Sequence, residues 1–209
     1  GVAATSTSPF QALEGLGGTL LQDQSFTIGC RESVPAQATH TALRGTPILF
    51  GAGLIESIPD ATLVTRANNQ PAGLVGRVHT TVPIETPSGA RRIGRFGWKG
   101  GIATVDSFSL DAALNEMGLT SQFLPQENAP NGDLALLAQC DTVADPEDMP
   151  DAAGFTRTDR FTHFQRYLAA PAQTPRGGMA GETLFEAVGC AECHVGSHVT
   201  AQVPEDALS

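Results

Sequence analysis

Lysine is almost missing from this chain. Among 209 residues only Lys99 is a lysine, set against 22 acidic residues, and the formal net charge is −10. The imbalance lies in one half: residues 1–104 hold 6 acids and 8 bases, whereas residues 105–209 hold 16 acids and 4 bases. An acidic half repels phosphate backbones, which excludes nucleic acid as a partner. It steers a basic partner at low salt, or it is simply a solvated acidic face. Aromatic residues are also scarce, at 6%, while Gly (23) and Pro (14) are plentiful. That composition excludes an idealised helical bundle and points to a globular chain with much loop structure. No run of 18 apolar residues occurs, so no segment reads as a transmembrane helix. With 41% hydrophobic content the chain still has enough apolar surface for a core and one or two domains.

The coarse pattern is mainly helical. Residues 47–58 are apolar at helical spacing, begin with Pro47 and stop at Pro59-Asp60, which predicts a short buried helix. Residues 75–82 and 90–98 read as two strands, with Thr86-Pro87-Ser88-Gly89 as the turn of a hairpin. Residues 106–117 have helical spacing, and Gly118 is placed to cap that helix. Residues 124–155, rich in Pro, Asn and Asp, read as a long connection and a candidate boundary. Glu127, Asn128, Asn131, Asp133, Asp141 and Asp145 crowd this stretch, but their spacing matches no EF-hand and they are assigned to solvated loop. Thr158 is expected to cap a helix carrying Phe161, Phe164 and Leu168 on one face. A last helix, from about 181 to 188, leads into Cys190.

That helix delivers Cys190-Ala191-Glu192-Cys193-His194. Two thiols separated by two residues can add to the two vinyl groups of one porphyrin, and the His that follows can ligate its iron. A thioredoxin-like dithiol would want a strand before the motif and a helix after it, and neither is evident. A zinc site would need a second pair of ligands, and Cys30 and Cys140 are far apart in sequence. Haem c is therefore the expected cofactor, held by Cys190 and Cys193, with His194 as proximal iron ligand. Cys30 and Cys140 could instead pair in an oxidising compartment.

The sixth iron ligand is open. His40, His79 and Met117 are candidates, as is a ligand outside the chain, and Met149 and Met179 are weaker ones. His198 is too close to His194 to swing over the opposite face, and His163 reads as a surface residue. Trp98, the single tryptophan, is either an electron relay or an ordinary buried aromatic. Arg91, Arg92 and Arg95 could pair with haem propionates or form a solvated hairpin face.

Four ordered segments then point to a family. They are Arg44–Asp60, Arg95–Gly100, Asn115–Thr120 and Gly181–His194. In this order the chain resembles the di-haem oxidoreductase (peroxidase) family, also described as thiol oxidoreductases. The resemblance implies a periplasmic or secreted protein with two cytochrome c-like haem domains, extensive loops and a small β-hairpin. It implies electron movement between two haems in a peroxidase-like oxidoreductase, served by a small redox protein or other electron donor, with hydrogen peroxide as a candidate substrate. The first C-x-x-C-H of the family pattern, and the distal half of the second haem domain, are not in this sequence. Residues 1–177 are accordingly expected to be the remainder of a first cytochrome c-like domain, and residues 178–209 the opening of a second, so that the chain is a central fragment. The alternative is a non-enzymatic c-type cytochrome module that only passes electrons.

Overall fold

The structure, a computed structural model, describes residues 11–172 and 180–201. The expected boundary at 177/178 and Met179 lie outside these residues. The described architecture is mainly α with one small sheet, as the sequence predicts. Its helices are α1 (Ala52–Glu56), α2 (Asp60–Asn68), α3 (Val105–Met117), α4 (Leu134–Cys140), α5 (Arg157–Tyr167) and α6 (Ala180–Ala187). The sheet consists of β1 (Thr80–Thr81) and β2 (Arg92–Ile93), paired antiparallel with Thr80 opposite Ile93. No helix among the described residues is long and apolar enough to cross a membrane. By contacts the chain divides into two units, the first from residues 1–47 and 109–159, the second from 48–108 and 160–209.

The first unit is held by buried polar residues as much as by apolar ones. Leu110 and Ala113 of α3 are buried, and beside them Asn115 accepts from the side-chain amide of Asn128 at 3.0 Å. Glu32, 6% exposed, accepts from the amides of Gln22 (2.6 Å) and Asn131 (3.0 Å) and so pins two loops together. Gly118, at φ 64°, ends α3 as expected, its amide donating to Leu114 O at 3.0 Å. The connection 124–155 contains a helix that its polar composition hid: Asp133 caps α4 by accepting from the amides of Ala135 and Leu136. Cys140, the last residue of α4, forms a disulfide with Cys30.

Two helix starts differ from expectation. At α5 the cap is Thr156, not Thr158: the Thr156 amide donates to Asp159 at 2.7 Å, and the Asp159 amide donates to the Thr156 hydroxyl at 3.0 Å. This reciprocal pair is a capping box. Thr158 instead donates through its hydroxyl and its amide (2.9 Å) to Asp148, which is fully buried. Burial pushes the Asp148 carboxyl up, but the hydrogen bonds from Thr158, Arg157 and Thr156 outweigh it and hold the group below its usual range. The buried face of α5 is polar (Thr158, Thr162, Gln165), while Phe161 and Phe164 stand half exposed.

In the second unit the helix expected over 47–58 is confined to α1. Gly51 adopts φ 75° and donates to Leu168 O at 2.8 Å, so helical backbone begins only after it. Gly53 follows from packing: a Cβ there would lie 2.2 Å from the carbonyl oxygen of Arg166. Pro59-Asp60, expected as a stop, is also a start, with Pro59 at the N-cap of α2 and Asp60 in its first turn. The hairpin exists but is short. Its turn closes through Gly89 N to Thr86 O (2.8 Å), and the pairing continues past β2 through Gly94 N to His79 O (2.9 Å).

Candidate functional site

The C-x-x-C-H motif lies on a tight turn. Gly189, at φ 82°, breaks the chain out of α6, and Cys190–Glu192 form one 3₁₀ turn. The amide of His194 donates to Cys190 O at 2.9 Å, which sets the imidazole one turn beyond the first thiol. Cys190 and Cys193 are both free thiols and both exposed. Phe185 of α6 lies against His194, with ring centroids 6.2 Å apart and planes inclined by 60°. The aromatic of the entering helix thus meets the motif's imidazole.

Two side chains from the α2 region hold this turn. Arg66, in the last turn of α2, donates through Nη2 to Ala191 O (3.1 Å) and to Glu192 O, the two residues between the cysteines. Gln70, just past the helix, accepts from the Cys193 thiol at 3.5 Å and donates to Arg66 O at 2.8 Å. Neither residue was singled out in the sequence. Arg66 is 125 and 126 positions away from its acceptors, and no local pattern reports such a contact.

Cys193 and His194 form part of the wall of a cavity of about 660 Å³ within the second unit. Its apolar wall includes Ile55, Leu63, Leu74, Val75 and Val195. Segment 74–79 reaches the cavity because it folds back tightly on α2: at Gly76 a Cβ would lie 2.5 Å from Ala67 O. Arg66, Arg77, Arg95 and Lys99 also line it, and no aspartate or glutamate does among the described residues. His79 and His198 are further lining residues. A cavity with two imidazoles besides the motif's, a thiol and a cationic wall can bind a flat, largely apolar, anionic group and a transition metal within it.

The candidate residues separate clearly. His79 joins the motif at the cavity, and so does His198, which the sequence reading had set aside. His40 does not line it, and neither does Met117, which is 76% exposed at the end of α3 in the first unit. Met149 is exposed as well. Trp98 is 56% exposed rather than buried, with the Lys99 ammonium 4.4 Å from its ring centroid. Arg95 is committed elsewhere: its side chain is 3% exposed, paired with Asp60 and donating to the carbonyls of Glu56 (3.1 Å) and Ile58. Arg91 donates to Thr80 on the neighbouring strand.

A second cluster lies in the first unit. Carboxylate oxygens of Glu127, Asp145 and Glu147 gather within 4.8 Å of one another. Burial, then the charges of Asp141, Asp145 and Glu147, push Glu127 up to about 7. Asp145 and Glu147 both meet the hydroxyl of Thr120, which is fully buried.

No curated protein and no solved structure matches the chain significantly. One family model does, described as "Di-haem oxidoreductase, putative peroxidase", over residues 34–207. This span contains the C-x-x-C-H motif, the whole cavity wall and all four segments that carried the resemblance. The chain therefore belongs to the di-haem oxidoreductase family.

Proposed function

We propose that the second unit seats one covalently attached c-type haem, and that the chain serves a peroxidase-like oxidoreductase of a cytochrome c-like kind. The observation that carries this reading is the shared cavity: Cys193, His194 and His79 line one apolar space whose charged side chains are all cationic. Its volume, about 660 Å³, falls in the range of sites that enclose a small organic cofactor.

The roles of the side chains follow from their chemistry. Cys190 and Cys193 would hold such a haem through two thioethers, each S–H adding across one vinyl C=C with no external oxidant or reductant, and His194 would ligate its iron. Arg66 and Gln70 hold the turn that presents these three residues. A haem held there supplies one-electron chemistry at iron. His79, exposed at the cavity, offers ring nitrogens that could hydrogen-bond a bound substrate or bind the metal itself. Electrons would pass between this haem and a second one, delivered by a small redox protein or another donor, with hydrogen peroxide as oxidant. The Cys30–Cys140 disulfide supports a periplasmic or secreted setting.

A second reading has its own observation. With His79 and His198 both at the cavity, the iron could be closed by a second imidazole, which suits a module that only transfers electrons. Absorption spectra of the chain made with c-type maturation machinery separate the two. A c-type spectrum that changes on adding carbon monoxide or peroxide is the expected result. A c-type spectrum indifferent to both supports the transfer module, and a chain without haem refutes both readings.

A further inference from the structure

The cavity of the second unit follows α2, and its two ends differ in what they hold. The C-x-x-C-H turn is at the C-terminal end of the helix, where Arg66 donates to Ala191 O and Glu192 O and Gln70 accepts from Cys193. The other end is built on Asp60, about 9 Å back along the helix axis from Arg66. Asp60 pairs with Arg95 and accepts from the amide of Ile93 at 3.0 Å. Lys99 belongs to this second end. The amides of Arg95 and Phe96 donate to Ile102 O, both at 2.8 Å, and close residues 97–101 into a loop. Gly94 leaves no room for a Cβ beside the carbonyl oxygen of Gly100, so the loop lies directly on the Ile93–Arg95 backbone. Lys99 itself sits at φ 60°, a left-handed conformation uncommon for residues other than glycine. The loop thus holds a lysine on the cavity wall in a backbone state that the residue does not favour by itself.

Four cations line the cavity, and three are placed or engaged elsewhere. Arg66 is bound to the turn between the cysteines. Arg95 is spent on Asp60 and the carbonyls of Glu56 and Ile58. Arg77 follows Gly76, which packs on Ala67, and so belongs to the half of α2 that carries Arg66. Lys99, the single lysine of the chain, has neither a carboxylate nor a carbonyl on its ammonium among the described residues. It lies 4.4 Å over the ring of the exposed Trp98, a weak contact in water, and a carboxylate is a better partner for it. We propose that Lys99 is the carboxylate-recognising residue of the cavity, taking a propionate of the haem whose opposite, thioether edge is held at Cys190 and Cys193. This deepens the haem reading above and rests on it. Ferric haem carries one more positive charge than ferrous haem, so an ammonium at the propionate edge disfavours the oxidised form. Its removal moves the midpoint potential to more negative values, most visibly at low ionic strength.

The test compares the haem-loaded full chain with Lys99→Gln, Lys99→Arg and Arg77→Gln. Haem loading is read by mass, the propionate bending band by resonance Raman, and the midpoint potential by spectroelectrochemistry at low ionic strength. The expected result in Lys99→Gln is a moved propionate band and a negative potential shift, both larger than in Arg77→Gln, with the potential largely restored in Lys99→Arg. A loaded Lys99→Gln with the band and potential of the unmutated chain overturns the proposal and leaves the haem reading intact. Equal changes in Lys99→Gln and Arg77→Gln overturn it too, because the recognition then has no seat at Lys99. If Lys99→Gln accumulates without haem, Lys99→Arg decides. A propionate band moved by exchanging the ammonium for a guanidinium supports the proposal, and an unmoved band overturns it. An unmutated chain that carries no haem overturns the haem reading and this inference with it.

Discussion

The contact between Glu56 and Arg166 gives the sharpest test of how the second unit is held together. Glu56 ends α1 and takes a two-pronged contact from Arg166 of α5, Nε to Oε2 at 2.7 Å and Nη2 to Oε1 at 3.1 Å. Its Oε1 also accepts from the amide of Val105, the first residue of α3, at 2.8 Å. One carboxylate therefore joins three helices. Both side chains are largely buried, at 13% and 18% exposure. Burial alone would depress the Arg166 guanidinium, but the Glu56 hydrogen bonds and charge, with Asp106 and Glu85 behind them, outweigh it and raise its pKa. The cation thus persists at any accessible pH, and removing Glu56 strands it.

Breaking a buried pair from one side costs about 3–5 kcal/mol, mostly because the remaining charge is left uncompensated. Glu56→Ala is expected to fall in that range and to lower the midpoint of thermal unfolding by on the order of 10 °C for a chain of this length. Glu56→Gln keeps an oxygen for the Val105 amide but still strands the Arg166 charge, so it is expected to cost about 2–4 kcal/mol, below Glu56→Ala. The decisive variant is the double substitution Glu56→Gln with Arg166→Met. It leaves no buried unpaired cation, so its cost should be smaller than the sum of the single costs by about 1–3 kcal/mol. Urea unfolding followed by circular dichroism measures all five proteins: the unmutated chain, Glu56→Ala, Glu56→Gln, Arg166→Met and the double variant. Strict additivity, or a Glu56→Ala chain within about 1 kcal/mol of the unmutated one, would refute the reasoning.

Two further predictions concern the first unit. Glu127 holds its proton more tightly when folded, with its pKa raised from 4.5 to about 7, so its contribution to stability is full below about pH 4.5 and is lost as pH rises through 7. The full shift corresponds to about 3 kcal/mol, and solvent screening at this half-exposed site reduces it to about 1 kcal/mol. Glu127→Gln should flatten this part of the pH dependence, and urea midpoints measured at about pH 5 and 8 that fall equally in both proteins would contradict it. Paired Ser substitutions at Cys30 and Cys140, which open a loop with a sequence separation of 110, should cost about 2–4 kcal/mol. Dithiothreitol should then no longer shift the unfolding curve of the substituted chain, whereas it destabilises the parent.

What the sequence made legible is what depends on neighbours along the chain. The C-x-x-C-H turn is one, because two thiols and an imidazole within five residues are constrained by the chain itself. Gly118 closing α3 is another. The errors share a different origin. Residues 47–50 carry helical apolar spacing, but the amide of Gly51 is taken by Leu168, 117 positions on, and the helix starts late. Thr156 and Thr158 offer the same hydroxyl two residues apart, and only the buried Asp148 decides which of them caps. The second strand stops short because, beyond the Gly94–His79 bond, the amides of Arg95 and Phe96 donate to Ile102 O instead of across the hairpin. At Arg95, the sequence left open a propionate contact that the structure assigns to Asp60 and two carbonyls.

That reassignment explains how two of the resemblance segments work together. Arg95, from the Arg95–Gly100 segment, reaches Glu56, Ile58 and Asp60, all in the Arg44–Asp60 segment. It satisfies carbonyls at the end of α1 and meets the carboxylate that opens α2, while Asp60 also accepts from the amide of Ile93 in β2 at 3.0 Å. A nearly buried arginine thus fixes the corner from which α2 departs. Everything at the far end of α2 inherits that placement, and there Arg66 and Gln70 meet the Ala191–Cys193 turn. The two segments most recognisable in the sequence therefore act at a distance from the C-x-x-C-H turn. They set the direction of one helix, and that helix carries to this turn the guanidinium that no sequence motif announced.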